Sequence, residues 1–225
     1  AVPALVRAGA GAPDIEDGFP SNQFNHVILC VPGATDTTWL ECTSKDLPAG
    51  HLGSFTEDRH VLLLLPEGGR VVRTPMSRAE ENHHALTATC RVAASGGVSG
   101  TIDLVYRGNP ADRTRSILLN TSPERRDTWL HRELGLARAD VTAPDYSGIR
   151  PGVPEVRVRC SLSTPEVARR VGDRIAVTLN AFDPLQLPLP ATERRRDPVE
   201  LNYPFVETDT LRFALPAGYL VDAAP

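Results

Sequence analysis

The residues best suited to chemistry are His26 and Glu41. Each lies in a short apolar run: Phe24-Asn25-His26-Val27-Ile28-Leu29-Cys30-Val31, and Thr38-Trp39-Leu40-Glu41-Cys42-Thr43. The segment between them, Pro32-Gly33-Ala34-Thr35-Asp36, has the composition of a hairpin turn. A loop over 32–35 pairs His26 with Glu41. A loop over 33–36 pairs His26 with Thr43 and makes Glu41 its diagonal neighbour. Side chains alternate along a strand, so both registers put the imidazole and the carboxylate on one face. A carboxylate beside a histidine fixes its tautomer and stabilises the imidazolium. Such a pair is the base and the orienting acid of a nucleophilic triad.

A nucleophile for the pair is harder to find. The four cysteines, Cys30, Cys42, Cys90 and Cys160, contain no Cys-x-x-Cys spacing, which argues against a zinc or redox motif. They read as small buried hydrophobes, with one structural disulfide as the alternative. Cys30 shares a strand face with His26 but lies four residues along it, roughly 13 Å away. Cys42 points away from the face of Glu41. His83 and His84 would point to opposite sides of a strand and make poor joint metal ligands. Asp103, Asp112 and Asp127 read as surface or turn residues. Pro66-Glu67-Gly68-Gly69 reads as a tight hairpin turn, since no Lys or Ser follows as in a phosphate loop. No cofactor and no metal site is expected.

The elements that must position His26 and Glu41 are mostly strands. Twenty prolines and 17 glycines interrupt the chain every few residues, and Val, Leu, Ile and Thr fill the gaps. That texture is one of short strands bounded by turns. Strands are predicted over 4–7, 24–31, 38–42, 61–65 and 71–74, then over 85–93, 100–107, 155–162, 174–178, 201–206 and 208–213. Asp103 and Tyr106 fall on opposite faces of the 100–107 strand, giving one wet and one buried face. One helix is clear. Ser122 is a good N-cap, Pro123 suits the first helical position, Trp129, Leu130 and Leu134 share a face, and Gly135 can end it. Trp129 reads as its anchor in the core. A shorter helix or a loop could start at Thr164-Pro165.

The chain divides near residues 73–81, where Thr74-Pro75 ends a strand and a polar stretch follows. Residues 1–75 supply about five strands and no helix, too little to cover a sheet face, so this part is expected to pack on something outside the chain. Residues 76–225 are expected to form a β-sandwich-like domain with one helix. The 225 residues carry a net charge of −4, and 23 of the 24 basic residues are arginine, Lys45 being the exception. These arginines are scattered among acids. Even Arg194-Arg195-Arg196 is flanked by Glu193 and Asp197, so no nucleic-acid footprint is present. The longest apolar run, Val61 to Pro66, is far short of the ~20 residues of a membrane span. No signal peptide is visible and the first residue is Ala1, which suggests a chain processed or cut from a longer one.

Phe-Asn-His followed by hydrophobics, a turn and Trp-Leu-acid-x-Thr resembles the histidine and acid strands of bacterial transglutaminase-like proteins. Gly50 to Leu65, with Gly53 and the apolar 61–65 run, is similar to the closing strand of that family. The later motifs resemble the β-rich domain of unknown function that follows the core in exported members. They are Glu81-Asn82, Gly100 to Arg115 with Gly108, Arg196-Asp197-Pro198-Val199 to Tyr203-Pro204, and Leu215-Pro216-Ala217-Gly218-Tyr219-Leu220-Val221. The resemblance implies a papain-like core with a Cys-His-Asp triad and thiol-dependent acyl transfer on a protein or peptide substrate. It also implies a periplasmic or otherwise extracytoplasmic location. His26 would be the base and Glu41 the orienting acid; Asn25 lies in the motif without a catalytic role. Two departures stand out. Glu41 occupies the usual aspartate position, and the family's nucleophile lies upstream, in a part of the protein this chain does not contain. The chain alone is therefore expected to be inactive, with a non-catalytic accessory module binding protein or glycan as the alternative.

Overall fold

The structure is a computed structural model and describes residues 1–9, 11–16, 18–19, 21–182, 196, 198–199 and 201–223. It is mainly β, with three sheets and two helices among those residues. The first sheet comprises β1 (Val2–Val6), β2 (His26–Pro32), β3 (Thr37–Leu40), β4 (His60–Leu65) and β5 (Gly68–Arg73), in the order β3-β2-β1-β4-β5. All its pairings are antiparallel.

Alternation decides which face of this sheet is buried. Ala4, Val6, Ile28, Cys30, Trp39, Val61 and Leu63 point to one side and, with Leu52 from the 41–59 loop, form the core. On the other side, Leu5 pairs with both Val27 and Leu62, Pro3 pairs with Leu29, and Leu62 pairs with Val71. Val27 and Leu64 are 45% exposed there. This outer face is thus apolar and partly exposed. Expressed alone, residues 1–75 should therefore show no cooperative thermal melt, because one uncovered face cannot offset chain entropy. Residues 76–225 should melt cooperatively. Circular dichroism of the two pieces checks both, and a sharp transition from 1–75 would overturn the first.

The second sheet follows a short 3-10 turn, Ala79–Glu81. It is built from β6 (His83–Val92), β7 (Val98–Arg107), β8 (Asp140–Ser147), β9 (Glu155–Thr164) and β12 (Val206–Ala214). Its order is β12-β6-β7-β9-β8, and β12 runs parallel to β6. Helices α1 (Asn109–Asn120) and α2 (Pro123–Glu133) lie between β7 and β8 in the chain. Strands β10 (Ala168–Val171) and β11 (Arg174–Val177) form a separate ribbon. Leu86, Leu104, Tyr106, Val156 and Val158 of the sheet pack with Leu118, Trp129, Leu130 and Leu134 of the helical region, and Ala168, Ile175 and Val177 of the ribbon join them. Asp103 faces the other way, 2.8 Å from Arg159, so the strand has the wet and buried faces expected of it.

Three expectations need correction. Among the described residues of 76–225 there are two helices, not one. The buried positions of α1 are Asn109, Ala111, Thr114, Arg115 and Leu118, which keep helical spacing but include polar residues, so no apolar stripe announces the helix. In place of the expected sandwich, among the described residues helices and a two-stranded ribbon cover the core face of one five-stranded sheet. Residues 201–205 are not strand; Pro204 withholds an N–H, and β12 starts at Val206. Thr164 ends β9, so the Thr164-Pro165 segment takes the loop alternative. The triple arginine and its acidic flanks lie largely outside the described residues.

Candidate functional site

The hairpin of β2 and β3 turns over residues 33–36, since Pro32 pairs with Thr37. This is the second of the two even registers. It places His26 at the start of β2 and Glu41 one residue beyond the last paired residue, Leu40. The two side chains meet as expected, with His26 Nε2 2.8 Å from Glu41 Oε2.

Glu41 is built to stay ionised. Its side chain is 0% exposed, and that of His26 is 17% exposed. Thr43 donates to Glu41 Oε1 twice, from its backbone N–H at 2.8 Å and from Oγ1 at 2.6 Å. Burial pushes the carboxyl pKa up, but the Thr43 and His26 hydrogen bonds outweigh it and hold the group below the ordinary carboxylate range. A carboxylate has no proton to give, so His26 Nε2 carries the hydrogen and donates it. In the neutral ring Nδ1 then keeps its lone pair, as a general base requires. The ring of Phe55 stands edge-on to the imidazole, with centroids 5.9 Å apart. Asn25 plays a structural part. Its Oδ1 accepts from Ala8 N at 2.7 Å and its Nδ2 donates to Ala8 O at 3.0 Å, pinning the chain beyond β1.

The cysteines are free thiols. Cys30, Cys90 and Cys160 are buried, and burial raises each thiol pKa, to about 11 for Cys160. They are small core hydrophobes, and thiols so placed are poor nucleophiles. Cys42 is exposed, with Sγ 3.5 Å from Leu40 O. His83 and His84 do diverge. His83 Nε2 is 3.2 Å from Thr208 Oγ1, whereas His84 stacks on Tyr106 at 4.4 Å. Burial, with His83 adding to it, drives the His84 pKa down to about 4. Among the described residues no group of three or more His, Cys, Asp or Glu is placed to hold a metal ion. No helix among them is long and apolar enough to cross a membrane.

Two histidine–carboxylate pairs escaped the sequence reading. His60 Nδ1 lies 2.7 Å from Asp14 Oδ2 on the first sheet's rim. His51 Nε2 lies 2.5 Å from Asp112 Oδ2, although the two atoms lack hydrogen-bond alignment. Asp112 is thus no mere turn residue. The second pair joins the 41–59 loop to α1 and borders a cleft of about 630 Å³, also lined by Glu57, Met76, Arg78 and Arg107. The His26–Glu41 pair lies outside that lining, and its own geometry is the better base-and-acid arrangement. Nothing in the local sequence could bring such partners together, because both pairs are made by folding over long separations.

Comparison with protein-family models, curated proteins and solved structures finds no match for this chain.

Proposed function

We propose that His26 and Glu41 are the base and the orienting acid of a transglutaminase-like, thiol-dependent acyl-transfer centre. In this reading the thiol comes from outside these 225 residues, from the same protein or a partner, and the substrate is a protein or peptide amide. The observation that carries the reading is the 2.8 Å contact between His26 Nε2 and a buried, threonine-clamped carboxylate. The remaining support is the order of motifs in the sequence; the same reading takes the first sheet as the C-terminal strands of a papain-like core and the setting as extracytoplasmic.

The chemistry asked of these residues is limited. His26 Nδ1 would take the proton of the incoming thiol and later return it to the leaving amine. Glu41 would hold the ring and stabilise the imidazolium. A second reading, a non-catalytic module that binds protein or glycan, draws on the apolar outer face around Leu5, Val27, Leu29 and Leu62.

The chain of 225 residues on its own should release no amine from glutaminyl or cell-wall peptides. Cys30 is buried and roughly 13 Å along the strand from His26. The full reading frame that contains it should show amine exchange that is lost on His26→Ala. Activity from the 225 residues alone, abolished by Cys30→Ala, would overturn the assignment of the thiol. A full-length protein as active with His26→Ala as without it would overturn the reading and favour the binding module.

A further inference from the structure

The loop over residues 41–59 both carries Glu41 and covers the core face beside His26, and polar contacts fasten it to the second half of the molecule. Gly152 N donates to Asp46 O at 3.1 Å, and His51 meets Asp112 at 2.5 Å. The tightest knot is Asn109, the first residue of α1, which is 5% exposed. Its Oδ1 accepts from Ser54 N at 2.7 Å, and its Nδ2 donates to Glu57 Oε1 at 2.8 Å. One carboxamide therefore serves an acceptor role toward Ser54 and a donor role toward Glu57, which neither a carboxylate nor an ammonium can do.

Asn109 is itself held without slack. Its backbone N–H and Nδ2 both donate to Asn82 Oδ1, at 2.9 and 3.1 Å. Asn82 is fully buried, and its Nδ2 donates to Ser77 Oγ and to Pro204 O. Gly108 makes the approach possible, with φ of +62°; a Cβ there would fall 2.4 Å from Asn82 Oδ1. On the loop side, Ser54 is the neighbour of Phe55, whose ring edges His26. Gly53 holds that ring in turn, because its Cα carries nothing where a Cβ would meet Phe55 Cε1 at 3.1 Å.

We propose that Asn109 is a positioning residue for His26. The junction of β7 and α1, in the second half, sets the seat of Phe55 and with it the freedom of the imidazole. The functional weight of this rests on the reading of His26 as a base, but the coupling itself does not. It is measurable without thiol or substrate, so its failure and the failure of the acyl-transfer reading are distinct results.

The test is the rate at which diethyl pyrocarbonate modifies His26, read by peptide mass in the full 225-residue chain well below the melting temperature. Asn109→Ala should raise that rate by about threefold or more, the signature of a local opening. Leu118→Ala destabilises the same helix through a cavity but leaves the Asn109 contacts, and should leave the rate unchanged. Asn109→Asp keeps an acceptor for Ser54 N and sets a carboxylate against Glu57. It should lose stability yet keep His26 protected. An unchanged rate in Asn109→Ala would overturn the proposal. So would rates that follow global stability across all three variants, since that is what a merely structural role produces. Asn109→Ser, too short to span to Ser54, replaces the alanine variant if alanine does not fold.

Discussion

Glu41→Gln is expected to leave the fold nearly as stable as before and to disable His26 as a base. The wild-type carboxylate accepts from His26 Nε2 at 2.8 Å and from Thr43 twice. A glutamine of the same shape can still accept both Thr43 bonds through its carbonyl oxygen. Its amide then faces His26 and donates, so Nε2 must become the acceptor and the ring proton must move to Nδ1. The lone pair needed for proton abstraction is lost. An amide in place of the orienting carboxylate of a triad lowers kcat on the order of 10⁴-fold through the wrong tautomer, and the acyl-transfer centre proposed above should suffer a similar fall. Nitrogen-15 shifts of the His26 ring read the tautomer without any substrate. Retention of the proton on Nε2 in the variant would contradict the argument. Glu41→Ala differs, because it leaves the part-buried His26 donor without a partner, while the exposed Thr43 donors can turn to water. It should cost about 1–3 kcal/mol.

The pH dependence has a definite sign. Burial opposes ionisation of Glu41, but the Thr43 and His26 hydrogen bonds prevail and its folded-state pKa lies below the ordinary value. Its contribution to stability is therefore present above the unfolded value near about 4.3 and is lost as pH falls through the folded pKa. Glutamine has no such dependence, so the part of the stability difference between the parent chain and Glu41→Gln that comes from Glu41 ionisation should fall away on the acid side.

The His26–Glu41 pair was legible because it is local. One hairpin joins the two residues, and the parity of its register survives either choice of even loop. The sequence did not show that β3 would stop at Leu40, leaving Glu41 to be held by Thr43 rather than by strand pairing. The wet and buried faces of β7 were equally plain, since alternation is a property of the strand itself. Helix α1 was not plain, because its buried side carries Thr114 and Arg115 where an apolar stripe would show Leu or Ile. Strand β8 was hidden by its exposure, by Pro144 and by the register shift between Thr142 and Asp145. The Asn109 bonds to Glu57 and Ser54 span 52 and 55 residues. Their meaning depends on how the halves pack, and no local pattern encodes it.

The largest stability effect should come from Arg115, whose side chain is 1% exposed. Its guanidinium donates to Asp112 Oδ1 at 2.8 Å and to the carbonyls of Val153 and Gly148. Arg115→Ala removes the cation, leaves those carbonyls without it and opens a cavity against α1, and should cost about 3–5 kcal/mol. Arg115→Met keeps most of the stem and should recover part of that loss, which separates volume from charge. The same substitution acts on His51. Burial alone would lower the His51 pKa, but contact with Asp112 and the nearby Glu57 raise it, and Arg115 works against them. Glu81 of the 3-10 turn is a further acidic group within reach of His51. Without Arg115, Asp112 faces His51 unopposed and the His51 pKa rises further. A histidine with a raised folded-state pKa contributes its full stability below the unfolded value near about 6.5 and loses it as pH climbs through the folded pKa. Because that contribution is larger in Arg115→Met than in the parent, the defect of the variant should be smallest at about pH 6 and grow as His51 deprotonates. Urea melts of both chains at two pH values on either side of the His51 titration measure it. A defect that shrinks as pH rises would show that Arg115 does not oppose His51 across the joint between the halves.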